Sequence, residues 1–176
     1  MHVIQYIATQ ADSVEEAHSH VKQYLESQMG DEHNLQSWYD WFVPGGGRWA
    51  SNDDPYDDSY TGDVVHQDDP KFHEHLLQAH EYHMKDLGNT MERAREINLT
   101  EILDDIDMNK EGMYPHMIAS IHLYPLSRLY RMVGGEWGPF SFFFDIINEI
   151  SDPSILRESI DKGVDNWYIV PVDFHY

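Results

Sequence analysis

The sequence predicts an α+β fold: one domain over 1–176, with an antiparallel or mixed sheet packed against helices and a strand–helix unit at the N-terminus. Three observations predict it. A short alternating β-branched run opens the chain and leads at once into a capped amphipathic helix. Helical patterns occupy the middle. An apolar run with strand character closes the chain. The 176 residues are 41% apolar and 13% aromatic, enough for one sizeable core, and no internal repeat or long linker divides them.

Val3, Ile4, Tyr6 and Ile7 mark the first strand. Ser13 and Glu16 form a capping box, in which each side chain satisfies a backbone N–H left over at the helix start. Val14, Ala17, His18, Val21, Leu25 and Met29 then fall on one stripe, and Gly30 is a natural stop. Residues 38–50 are rich in aromatics and glycine and read as a strand, a tight turn and a returning strand. Residues 51–69 read as a solvated acidic loop. Asp69-Pro70 opens the next helix, with Phe72, Leu76, Ala79, His83 and Leu87 as its buried stripe and Gly88 as an interruption. One or two shorter helices continue from Met91 to Met108. Residues 114–133, rich in Tyr, Ile, Leu and His and carrying Pro115 and Pro125, read as strands. Phe140 to Ile150 fits either a buried strand or a short helix. Asp152-Pro153 starts a helix reaching Lys162, and Asn166 to Phe174 is the last strand, which Pro171 places near an edge or at a bulge.

Charge excludes most. Eleven Lys and Arg stand against 32 Asp and Glu, a formal net charge of −21. Phosphate contacts need cations, so direct binding of nucleic acid is excluded, and anionic membrane surfaces are disfavoured by the same sign. Partners should be cationic. The richness in Ile, Tyr and Met, with few Ala, argues against salt adaptation as the cause. Cysteine is absent, which removes disulfides, thiolate zinc sites and cysteine nucleophiles and fits a reducing cytoplasm. The N-terminus lacks the basic-then-apolar pattern of a secretion signal, and no apolar stretch approaches the ~20 residues of a membrane helix.

Two segments carry a resemblance. Tyr39-Asp40-Trp41-Phe42-Val43-Pro44-Gly45-Gly46-Gly47-Arg48-Trp49 resembles the DWY-x-x-GGRW signature of uncharacterised small proteins, many of them phage-borne, with one extra residue before the Gly-Gly-Arg-Trp. Ile169 to His175 resembles the V-D-x-H ending of the same proteins. The resemblance implies no activity. It implies a context, a phage accessory protein acting inside a bacterial cell.

The candidate sites follow from residue type and spacing. Gly45-Gly46-Gly47-Arg48 has the makings of a backbone nest for an anion, or of a plain hairpin turn with Arg48 stacked or paired. The His-rich stretch from His73 to His83 lacks i, i+4 ligand pairs, and only His80 and His83 share a face at i, i+3, which leaves a metal there as a minor alternative. Asp105 to Gly112 begins like a calcium loop but has Lys110 at its sixth position and His116 at its twelfth, where Gly and Glu belong. Asp173 and His175, two apart on a strand, share a face, and with His122 and Arg48 they supply an acid–base alternative.

No cofactor is expected, and no complete nucleophile motif accompanies these residues. The leading expectation is therefore a non-enzymatic acidic binding protein: a DNA-mimicking inhibitor, of the counter-defence kind a phage would encode, occupying the basic surface of a nucleic-acid-binding protein. Its contact carboxylates would be Asp53, Asp54, Asp57, Asp58, Asp63, Asp68 and Asp69 of the loop, with Asp104, Asp105 and Asp107. The alternative is a small metal-dependent or acid–base hydrolase built on Arg48, His122, Asp173 and His175. A phage structural or assembly protein is a third possibility.

Overall fold

The computed structural model describes residues 1–31, 34–35, 38–108, 112 and 114–176. In chain order the elements are β1 (His2–Gln10), α1 (Val14–Gln28), β2 (Gly30–Asp31), β3 (Asn34–Leu35), β4 (Trp41–Pro44), a 3₁₀ turn (Gly47–Trp49), β5 (Val65–His66), α2 (Pro70–Arg95), α3 (Leu99–Met108), α4 (Pro115–Val133), β6 (Phe143–Asp145), α5 (Pro153–Asp161) and β7 (Trp167–His175). They form two compact units, Met1–His83 with Gly135–Tyr176, and Met84–Gly134.

The first unit is built on one open mixed sheet in the order β4-β7-β1-β6, with β5 also pairing to β7. β1 and β7 run antiparallel over their full nine residues, from His2↔His175 to Gln10↔Trp167, and β6 lies parallel to β1. Strand periodicity sends alternate residues to opposite faces. Ile7, Val170, Val172 and Phe174 meet Ala17, Val21 and Leu25 of α1, while Ala8, Trp167 and Ile169 meet Phe72, Leu76 and Ala79 of α2 and Leu156 of α5. The sheet is thus covered on both faces.

Local signals explain the flanking elements. Ser13 Oγ accepts from the Glu16 N–H at 3.1 Å, and Glu16 in return accepts from the Asp12 N–H at 2.7 Å. The buried residues of α1 are Ala17, His18, Val21 and Leu25, four of the six predicted, while Val14 and the C-cap Met29 are half-buried against the same core. Asp69 accepts from the Lys71 N–H and opens α2, and Asp152 caps α5 through the Ser154 N–H.

Four expectations are corrected. Residues 38–50 do not fold back as a hairpin: β4 pairs with β7, and the glycines lead into a 3₁₀ turn. Gly88 does not interrupt α2, which runs unbroken to Arg95, because the ~1 kcal/mol that glycine costs a helix is small beside 26 residues of helical bonding. Residues 115–133 are helix, not strands. Pro115 sits at the first turn, where its missing N–H costs nothing, whereas Pro125 lies inside the helix, where an interior proline loses one bond and crowds the preceding turn at a cost of ~3 kcal/mol that the 19-residue helix carries. Pro171 lies on a central strand, yet its missing donor does no harm. Its carbonyl accepts from the Gly45 N–H at 2.8 Å, so its nitrogen faces the gap between the end of β4 and the start of β5. Phe143 to Asp145 resolves as the buried strand of the two options.

Candidate functional site

Register brings three rings into one row across three strands: Trp41 of β4 is opposite His175 of β7, and His175 is opposite His2 of β1. The His175 ring stacks on Trp41 with centroids 5.4 Å apart. His2 stands edge-on to both, at 5.2 Å from Trp41 and 5.0 Å from His175.

A carboxylate holds each imidazole. Asp173, two residues before His175 and on the same face, is fully buried. Its Oδ1 lies 3.0 Å from His2 Nδ1, and its Oδ2 accepts from the Arg48 backbone N–H at 3.3 Å. A carboxylate taken from water needs such partners. Asp40, exposed at the rim, sits 2.6 Å from His175 Nδ1, and that hydrogen bond holds its carboxyl below the usual carboxylate range. With ionised carboxylates as acceptors, the hydrogen-bond network assigns the proton of each neutral ring to Nδ1 and leaves a lone pair on Nε2. Among the described residues neither Nε2 has a partner.

The glycine turn is shaped by this carboxylate. Gly45, Gly46 and Gly47 all have positive φ. A Cβ on Gly47 would stand 2.5 Å from Asp173 Cβ and 2.8 Å from its Oδ2. The anion this turn receives is therefore the protein's own, through the one N–H of Arg48. The Arg48 side chain is exposed and has neither an ion pair nor a ring contact among the described residues. The glycine turn and the C-terminal strand thus touch each other.

On the same face of β1, the Tyr6 ring stacks on His75 of α2 at 4.4 Å. Burial pushes the Tyr6 phenol up and the His75 imidazole down, and His75 Nδ1 is buried with no partner among the described residues.

The other predicted residues lie elsewhere. His122 belongs to the second unit, on α4 rather than on a strand, and is bonded there to Asp105 of α3 at 2.8 Å. Asp104 and Asp107 are exposed on α3. Of the loop carboxylates, Asp54 and Asp57 cap turns through the Tyr56 and Ser59 N–H groups, Asp63 binds Ser51, and Asp69 caps α2. Asp58 pairs with Lys22 and Asp68 with His66, which leaves Asp53 without a partner among the described residues. Asp105 and Asp107 of the calcium-loop pattern are helical, and its Asn109, Lys110 and Glu111 lie outside the described residues. His80 lines a groove beside α5 and His83 is half-buried. No group of three His, Asp or Glu side chains among the described residues is placed to hold a metal ion, and no described helix is long and apolar enough to cross a membrane.

His2 and Asp40 escape the sequence reading. Each is separated from its partner by more than 130 positions, and only the strand register joins them. The available signal is period two: His2 shares the spacing of Ile4 and Tyr6. Comparison with protein families, with curated proteins and with solved structures finds no match to this chain.

Proposed function

We propose that the protein is an acid–base hydrolase working at the His2–His175–Trp41 row on a neutral or cationic substrate. One observation supports it: two carboxylate-held imidazoles with centroids 5.0 Å apart, each with an unpartnered Nε2. A neutral imidazole takes a proton from water, and the resulting hydroxide attacks the substrate carbonyl. The second imidazole, protonated, gives its proton to the leaving group. Asp173 and Asp40 orient the rings and stabilise the imidazolium form. Trp41 offers a flat apolar wall, and the Arg48 guanidinium is a fork-shaped donor for charge developing on a substrate oxygen. The net charge of −21 repels anionic substrates and concentrates cationic ones.

The test is hydrolysis of p-nitrophenyl acetate and of a cationic choline ester, with His2→Gln, His175→Gln and the double variant. Bell-shaped pH dependence is expected, with a rate loss of roughly 10²-fold or more in each single variant. Rates for both esters no higher than those of the double variant would overturn the assignment.

The excess of carboxylates favours a second reading, an acidic protein that occupies the basic surface of a nucleic-acid-binding partner, as a phage-encoded inhibitor would inside its bacterial host. Asp53, Asp104 and Asp107 are exposed and have no partner among the described residues. This reading expects competition with duplex DNA for a purified DNA-binding nuclease, weakening steeply with salt. Undiminished nuclease–DNA binding would remove it.

A further inference from the structure

We infer that the groove between α2 and α5 binds a small organic carboxylate with an apolar body. The groove lies within the first unit and has a volume of about 480 Å³, in the range of ligand pockets. Its floor is apolar. Leu76 is buried, and Ile160 packs against the core cluster that contains Leu156 and Trp167. Leu77 lines the groove yet stays 54% exposed, an apolar side chain with no cover of its own.

The polar lining is balanced in charge where the rest of the chain is acidic. Arg157, His73 and His80 face the groove with a single carboxylate, Asp161, whereas the chain has 32 acids to 11 Lys and Arg. Arg157 has no ion pair among the described residues, although Asp161 stands one helical turn away; the neighbouring Glu158 is taken by Lys162 at 2.6 Å. Its guanidinium therefore keeps a free fork, which suits a carboxylate in bidentate geometry. The net charge of −21 opposes an anion here as elsewhere, and the bond of the Arg157 fork to a carboxylate together with burial of its apolar body has to outweigh that repulsion. Apolar floor and guanidinium rim together select an amphipathic anion over a bare ion, which would leave the floor in water, or an alcohol, which would leave Arg157 unused.

The test is titration of the full chain with sodium octanoate and, separately, octan-1-ol, following the methyl NMR signals of Leu76, Leu77 and Ile160. Octanoate should shift these signals saturably and bind about tenfold more tightly than the alcohol, with Arg157→Gln removing that difference. Leu77→Asp, at an exposed position, should abolish the shifts. Equal binding of acid and alcohol to the wild type, absence of shifts at these methyls, or an Arg157→Gln variant that binds octanoate as the wild type does would overturn the inference. Because the acid–alcohol comparison uses the wild-type protein, the outcome does not depend on how well a variant folds.

Discussion

Gly47→Ala probes the joint on which the candidate site depends. Gly47 has φ +51°, the left-handed region, where an alanine costs roughly 1–2 kcal/mol. Its new Cβ would lie 2.5 Å from Asp173 Cβ, about an ångström inside ordinary carbon–carbon contact. Asp173 cannot swing away to relieve this, because Cβ is anchored to β7 and β7 is bonded to β1 on one side and β4 on the other. Overpacking of this kind costs about 1–3 kcal/mol. The two contributions sum to roughly 2–5 kcal/mol, a fall in melting temperature of about 4–20 °C for a chain of this size. The assay is thermal melting followed by circular dichroism, with the imidazole NMR signals of His2 and His175 recorded in parallel. Both should move, since Asp173 holds His2 directly. Gly88→Ala is the matched control: nothing lies within 4 Å of its Cβ, and it sits mid-helix, so alanine should raise stability by about 0.5–1 kcal/mol. A Gly47→Ala protein melting within about 1 °C of the wild type, or a Gly88→Ala protein falling as far, would refute the reasoning.

Three further outcomes follow from buried and exposed charge. Burial lowers the pKa of His18, whose Nε2 has no partner among the described residues. The unfolded chain therefore binds that proton first, and stability present above about pH 6.5 is lost as pH falls through the lower folded value. Denaturant melts at pH 7.5 and 5 should show the wild type losing stability relative to His18→Gln; parallel behaviour of the two proteins would exclude this role. Asp145 is buried and its carboxylate accepts from the Ile147 N–H at 2.9 Å, the Asn148 N–H at 3.1 Å and the Asn148 side-chain amide at 2.7 Å. Asp145→Ala should cost about 2–4 kcal/mol in urea unfolding, since it strands these donors. At −21, self-repulsion opposes compaction, so raising NaCl from 20 to 300 mM (about 20 Å to about 6 Å of Debye length) should raise the melting temperature. A fall would show that net attraction between charges holds the fold.

Elements whose cause is local were legible in the sequence. Ser13 and Glu16 start α1, Asp69-Pro70 starts α2, and the apolar spacing of α1 names its buried face, because caps and stripes act within a turn or two of the chain. Residues 115–133 were not legible: their Tyr, Ile and His content fits a pleated surface, and no local signal marks a helix that carries Pro125 inside it. Asp173 and His175 could be placed on one face from their spacing alone, and so they were found.

By itself the sequence determined the α+β class, the capped helices, the lopsided charge and the absence of thiol chemistry. Only the tertiary structure decided that Asp173 meets His2 and the Gly47 turn, that Asp40 meets His175, and that His122 belongs to another unit. The physical reason is register. Antiparallel pairing of β1 with β7 and of β4 with β7 sets residues from opposite ends of the chain side by side, and pairing of that kind is chosen by the packing of the whole sheet rather than by any neighbour in sequence.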